Sequence, residues 1–356
     1  MKAAGGSPTI RHVRGAWIAV APLFFLTGSL GAGAPGPPVM HTVQVVPLDT
    51  WSNCGNGRPV AASGGRVWWI GPDSRSLFGL GPPDYRRPLR CHLPLSVDVL
   101  VGCRNGSTTV ARAQDGKGVC VVDCRSMTVH VLPIPTTRED AIKLDDEGST
   151  LFIGDAAGMH ARWIDLADGK LLQNIQLTGQ LYAAGRDVIA SRLYILCGST
   201  AGDAKNAADL SVVATVSGAL LQTWPVPCKG LRGVAMDIAS HRLYARGSDS
   251  IVVFDMDVGR VVASRQVMGP DDLFYSRSTQ RVYTPTLGCS LVVLAGNLAP
   301  MGSLWVGDGL PALWDAPTAL QSRLFVLDCS DGLLFVVHLS EADSASLPAP
   351  GVQIRR

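Results

Sequence analysis

One four-residue phrase recurs seven times in this chain. Its versions are Gly65-Arg66-Val67-Trp68, Ser107-Thr108-Thr109-Val110, Ser149-Thr150-Leu151-Phe152, Ser191-Arg192-Leu193-Tyr194, His241-Arg242-Leu243-Tyr244, Gln280-Arg281-Val282-Tyr283 and Ser322-Arg323-Leu324-Phe325. The third residues stand at 67, 109, 151, 193, 243, 282 and 324, so the steps are 42, 42, 42, 50, 39 and 42. A repeat this regular means one supersecondary unit used again and again, each copy too small to bury its own apolar faces.

Each copy reads as four short strands joined by Gly, Asp and Ser turns. In the fifth copy, Gly233 to Met236 is an inner strand, Arg242 to Ala245 the second, Ile251 to Asp255 the third, and Arg260 to Val267 the outer strand. Third strands recur at Trp163 to Leu166, Cys120 to Asp123 and Leu210 to Thr215. Inner strands recur at Arg58 to Ala62, Val97 to Leu100, Asp140 to Lys143, Asp187 to Ala190, Asp272 to Tyr275 and Ala312 to Trp314. Four strands per unit at a period near 42 predict an all-β chain, a seven-bladed β-propeller of four-stranded antiparallel blades. The strand near Val43 to Val46 is placed to pair with the C-terminal strands in the last blade and so protect a sheet edge. Two units carry extra length, Gly198 to Asp209 in the fourth and Gly296 to Gly307 in the sixth. Long loops on a rigid scaffold either bind something or are plain length variation.

The three expected segments are a leader over 1–34, a loose connection over 35–40 and one propeller domain over 41–356. Arg11 and Arg14 precede an apolar run from Ala16 to Leu26, and Ala32-Gly33-Ala34 has the A-x-A form of an export cleavage site. The run is short for a membrane span and contains Pro22, though an uncleaved anchor is the alternative. No later run is long enough to insert, so the mature domain is expected in the periplasm or secreted. The formal charge of +2 falls to −1 once Lys2, Arg11 and Arg14 leave with the leader (2 − 3). That balance gives no reason to expect nucleic acid. Nine cysteines in an exported chain predict some disulfide bonding, with at least one thiol left over.

Candidate chemistry is sparse. None of the seven histidines forms H-x-x-x-H or H-E-x-x-H, and His241 reads as a surface residue in a repeat turn. Neither a metal nor a cofactor is expected, and no catalytic residue can be named. Acids at the mouths of inner strands, Asp98, Asp140, Asp187, Asp237 and Asp272, would gather around a small cationic ligand if they met at a central channel. The competing reading has them capping turns by accepting backbone N–H groups. Trp305, in the irregular sixth unit, and Lys205 and Asn206, in the fourth-unit insertion, are candidates for contact with a protein partner.

The S-R-L-Y phrase, its turn, an apolar strand ending in Asp, then x-x-G and an outer strand resemble the WD40/YVTN-like bacterial surface-layer propellers. The pattern is also similar to the heavy subunit of quinone-dependent amine dehydrogenases. Cys91 and Cys103 bracket the inner strand of the second unit, Cys103-Arg104-Asn105-Gly106-Ser107 resembles a segment of that subunit, and the Gly198 to Asp209 insertion resembles its extended hairpin. The resemblance implies a Cys91–Cys103 disulfide. It also implies a chain without its own quinone, which would help a small light subunit form an amine-binding cleft.

Two functions follow as expectations: an exported binding or subunit-scaffold propeller, and alternatively the heavy subunit of a periplasmic amine dehydrogenase complex. Mass spectrometry of the mature protein from its native host is expected to find an N-terminus at Pro35. Recovery of an intact segment through Leu26 would establish the anchor instead.

Overall fold

The structure is a computed structural model, and it describes residues 20–22, 42–47, 60–63, 66–81, 88–103, 107–145, 147–155, 157–198, 208–231, 233–267, 273–276, 280–285, 290–305, 311–314, 323–328 and 333–338. Every regular element among them is a β-strand. The strands form seven antiparallel sheets, and six of these are four-stranded meanders in chain order. The fifth unit shows the plan, with strands Gly233–Asp237, Arg242–Arg246, Ser250–Asp255 and Arg260–Gln266 running from the inside outward. Inner strands touch from the first blade through the sixth, Arg281–Pro285 of the sixth meets Pro311–Trp314 of the last, and Pro311–Trp314 meets the first inner strand, Val60–Ser63. The chain is a β-propeller.

Burial follows position within each blade. The second strands Thr150–Gly154 and Arg281–Pro285 are buried at every residue, because both faces lie against neighbouring sheets. This is why the middle strands read as continuous apolar runs rather than alternating ones. The outer strand Arg260–Gln266 alternates between exposed and half-buried, as expected when one face meets water. One core cluster links the fourth blade to the fifth through Tyr194, Leu196, Leu210 and Val226 against Met236, Leu243, Val252 and Phe254. Each such side chain contributes about 1.5–3 kcal/mol by leaving water.

The final blade combines the two ends of the described chain. Its three C-terminal strands, Pro311–Trp314, Arg323–Asp328 and Leu333–His338, are completed by Thr42–Pro47, with Val43 opposite Val337 and Val45 opposite Phe335. The expected closure is therefore observed. A fifth strand, Val20–Pro22, pairs outside Thr42–Pro47. It belongs to the segment read as a leader, and its removal would still leave a four-stranded sheet.

The repeated phrase owes its spacing to two turns. Its first residue takes a left-handed conformation at Ser191 (φ 53°), His241 (φ 50°) and Gln280 (φ 51°). The carbonyl at this position then accepts a hydrogen bond from the residue after the third strand: Cys124 to Ser107 at 2.7 Å, Leu166 to Ser149 at 3.0 Å, Thr215 to Ser191 at 3.0 Å and Met256 to His241 at 2.9 Å. The third-to-outer turn uses a left-handed glycine, as at Gly169 (φ 73°) and Gly259 (φ 69°). Each glycine N–H bonds the carbonyl four residues earlier, Gly169 to Asp165 at 3.0 Å and Gly259 to Asp255 at 2.9 Å, and a one-residue register shift follows.

Three expectations need correction. The inner strand of the fourth blade is Leu181–Asp187, so Val188 to Ala190 form the turn after it and not the strand. Asp187 fixes that turn by accepting the Ala190 N–H at 2.9 Å. In the sixth unit, Pro300–Trp305 is an outer strand rather than part of an irregular tail, and Trp305 pairs opposite Ser290. The expected Cys91–Cys103 disulfide is not formed: both residues are buried and unbridged to each other, and Cys120, Cys124, Cys197 and Cys228 are buried as well. Cys103 instead accepts the Thr108 N–H at 3.2 Å, while Cys91 lies against the Met127 carbonyl in the core between the first two blades. Burial pushes the Cys228 thiol up to about 11 and the Cys197 thiol to about 12, so both pack as neutral groups.

Gly169 and Gly259 share a backbone conformation but differ in surroundings. A Cβ on Gly169 would meet Leu132 at an ordinary 3.4 Å, whereas one on Gly259 would fall 2.2 Å from Trp224 Nε1. Gly169→Ala is expected to cost about 1–2 kcal/mol in chemical denaturation, the left-handed penalty alone. Gly259→Ala adds overpacking and is expected to cost roughly 1–3 kcal/mol more.

Candidate functional site

Strands alternate in direction, so the inner-to-second and third-to-outer turns of every blade open on one face. On that face the fifth-blade turn, Asp237 to His241, separates two clefts, and Ala239 lines both. The cleft between the fourth and fifth blades encloses about 490 Å³, and that between the fifth and sixth about 830 Å³. Both are of the size that holds ligands or partner side chains.

The smaller cleft is built around His241. Its Nε2 lies 3.0 Å from Asp187 Oδ2 on the fourth blade, and its Nδ1 lies 2.5 Å from Asp257 Oδ1 on its own blade. A carboxylate can only accept, so both contacts are hydrogen bonds at once when both ring nitrogens carry protons. The imidazole thereby ties two blades at their rim. Its ring also tilts against Tyr194, with centroids 6.1 Å apart. Arg186 lies over the Trp163 ring, 5.6 Å from the centroid, and Asp145 and Glu147 complete the polar wall. The apolar lining comes from Val188, 55% exposed, and Ile189, 100% exposed, on the fourth blade and from Ile238 on the fifth.

The larger cleft has a buried polar floor. Tyr244 and Tyr275 stack with centroids 4.3 Å apart and planes 17° from parallel. Tyr275 hydrogen-bonds Tyr244 and Asp237 through side chains. Burial, then the two neighbours, holds the Tyr275 hydroxyl far above the usual phenol range, and burial raises Tyr244 as well. Both hydroxyls therefore keep their protons at any physiological pH. Asp237 accepts the Ser240 hydroxyl at 2.5 Å. Arg242 pairs with Asp255. Burial works upward on Asp255, but the N–H groups of Asp257 and Val258 and the Arg242 guanidinium outweigh it and hold that carboxyl below its ordinary value.

The acids expected to meet at one channel mouth are divided between the two faces. Asp98 lies near the start of its inner strand, Val97–Gly102, and Asp140 directly precedes Ala141–Leu144. Asp187 and Asp237 end theirs, so they lie on the opposite face. Each is engaged locally. Arg112 grips Asp98 at 3.0 and 3.1 Å and reaches the carbonyls of Thr137 (2.9 Å) and Asp140 (3.1 Å) on the next blade. Asp140 accepts the N–H and hydroxyl of Thr137 at 2.9 and 2.8 Å. The turn-capping reading describes Asp140 and Asp187, which accept backbone N–H groups, whereas Asp98 is held by Arg112 and Asp237 by the Ser240 hydroxyl, and the four do not meet as one group. Asp272, Lys205 and Asn206 lie outside the described residues, as does the side chain of Trp305. Among the described residues, no three His, Cys, Asp or Glu side chains are grouped to hold a metal ion.

Sequence reasoning missed His241, Arg186, Val188 and Ile189. For His241 the signal was present, since it is the one histidine at a position that is Gly, Ser or Gln in the other six repeats. The remaining three are visible only once the fourth inner strand is registered correctly.

No protein-family model matches the chain, and no curated protein matches it. Among solved structures it is similar to a WD40-type propeller chain in the crystal structure of a mitotic checkpoint complex, with a TM-score of 0.62 at 12% identity. The match covers 89% of this chain and 99% of that one. Likeness at this identity carries the propeller fold and not a function.

His241→Asn keeps a residue that tolerates the left-handed turn but cannot span both carboxylates. It is expected to lower stability by about 1 kcal/mol, the value of a modest, partly exposed bond pair. His241→Ala adds backbone strain and is expected to cost about 1 kcal/mol more. Urea midpoints of the two variants check both values.

Proposed function

We propose that the chain is a non-catalytic binding propeller that docks a protein segment on the turn face of its fourth and fifth blades. The observation that carries this reading is the apolar rim of the smaller cleft. Ile189 (100% exposed) and Val188 (55%) line it, and Val216 (92%) and Leu220 (61%) extend the exposed aliphatic surface on the same blade. Single exposed aliphatics are ordinary on a protein surface, whereas a group of them beside a cleft suggests burial by a partner. Val188, Ile189 and Val216 lie on adjacent turns of one blade, held together by the Thr215 N–H bond to the Ser191 carbonyl at 3.0 Å, and Leu220 opens the outer strand that follows. Glu147 and Asp145 add acidic groups to the cleft beside Arg186, while Asp187 and Asp257 are engaged by His241. The chemistry suits a segment with aliphatic anchors and a flanking basic residue.

Export of the chain, read from its leader, would put that partner outside the cytoplasm. The amine dehydrogenase reading retains the propeller but loses its bracketed cysteine pair, which is unbridged. It rests on the resemblance alone.

Ile189→Asp with Val216→Asp should leave stability within about 0.5 kcal/mol, because neither side chain is buried. The same double substitution is expected to abolish recovery of the partner that co-purifies with the unaltered protein from its native host. Unchanged recovery of that partner would overturn the proposed surface. A partner carrying a protein quinone, detected by its absorbance, would replace this reading with the heavy-subunit one.

A further inference from the structure

The larger cleft, between the fifth and sixth blades, differs chemically from the docking rim. Its walls are Val253, Val262, Ala263 and Met301, and its floor holds the stacked Tyr244 and Tyr275. Gly296 keeps the floor open beside Tyr244, since a Cβ there would stand 3.3 Å from the hydroxyl oxygen. Most charges lining it are already matched: Arg242 by Asp255, and Asp237 by hydrogen bonds from Ser240 and Tyr275. A cation entering the cleft would have to compete with those bonds for Asp237.

The groups at the open mouth are neutral. Ser240, Gln280 and Asn297 are exposed there, and each both donates and accepts. Asn297 spends its carbonyl on the Ala299 N–H at 3.1 Å, which leaves its NH₂ group as the donor on offer. Neutral groups of mixed donor and acceptor character match hydroxyls, which have the same dual character. Apolar walls beside them match the C–H faces of a sugar ring. We propose that the cleft between the fifth and sixth blades binds a neutral, polyhydroxylated ligand of the oligosaccharide class. An acidic or phosphorylated sugar is the competing ligand class that the charged probes test.

The test is calorimetric titration of the full chain with maltotriose, cellotriose, triacetylchitotriose and mannotriose. Trigalacturonate, glucose 6-phosphate and putrescine serve as charged probes. At least one neutral trisaccharide is expected to bind with a Kd below about 1 mM. Asn297→Ala should weaken it about tenfold, the loss of one well-placed hydrogen bond. Val262→Trp, a substitution at an exposed wall position, should abolish binding by filling the cleft while the melting temperature stays unchanged. Ile189→Asp should have no effect, so loss of the docking surface and loss of this site are separately readable. Three results would each overturn the proposal: no neutral trisaccharide bound at about 10 mM, binding only of the charged probes, or neutral-sugar binding that survives both Asn297→Ala and Val262→Trp.

Discussion

Burial of both faces of every sheet is the constraint on which the molecule rests. A four-stranded sheet such as Gly233–Asp237 to Arg260–Gln266 has too little apolar surface to fold alone. It gains stability only when Leu243, Val252 and Phe254 meet Leu210 and Val226 of the preceding blade. The same need recurs at every interface, so an unclosed array would expose one blade at each end. Pairing of Thr42–Pro47 with Leu333–His338 meets it by giving the final blade strands from both ends of the described chain. Closure thus protects two edges with one set of backbone bonds.

Packing between blades fixes the strands, and the turns are then held by a small set of backbone bonds. The bond from Met256 to the His241 carbonyl, and its counterparts at Ser107, Ser149 and Ser191, ties the two turns of a blade on one face. That face is consequently stiff while its side chains are free to differ. Ser191 and His241 have nearly the same φ, 53° and 50°, yet only the histidine reaches the neighbouring blade. Changing a side chain at such a position alters the surface without disturbing the sheet. This is the usual way in which a rigid scaffold acquires a binding site.

Much of the fold was legible because the repeat encodes local chemistry. In the fifth unit the four strands are read from sequence almost residue for residue, since Asp257-Val258-Gly259 and Gly247-Ser248-Asp249 are strong turn signals. The fourth unit failed at one point. Val188 and Ile189 look like strand residues by composition, and only the pairing of Asp187 with Arg192 reveals that the hairpin turns there. This six-residue slip concealed the exposed aliphatic rim. Asp98 and Asp187 looked equivalent in the sequence, and they lie on opposite faces because one begins its strand and the other ends it. The clefts themselves had no sequence signature, because each is formed by residues from successive repeats that stand far apart in the chain, such as Tyr244 with Tyr275 and Asp187 with His241.

The two clefts share one wall, and that shapes how their roles divide. On one side of the Asp237–His241 turn, His241 presents its ring to Asp187. On the other, Asp237 accepts the Ser240 hydroxyl and bonds Tyr275. The turn is braced from both sides by side-chain bonds, in addition to the backbone bond from Met256 to His241. A ligand in either cleft therefore meets walls that are already held in place, and little ordering is needed when it binds. Preorganisation of this kind reduces the entropic cost of association. It is also a poor arrangement for a site that must close over a substrate, since closure requires a wall with few such restraints. The mechanical character of the shared turn thus agrees with the recognition roles proposed for the two clefts.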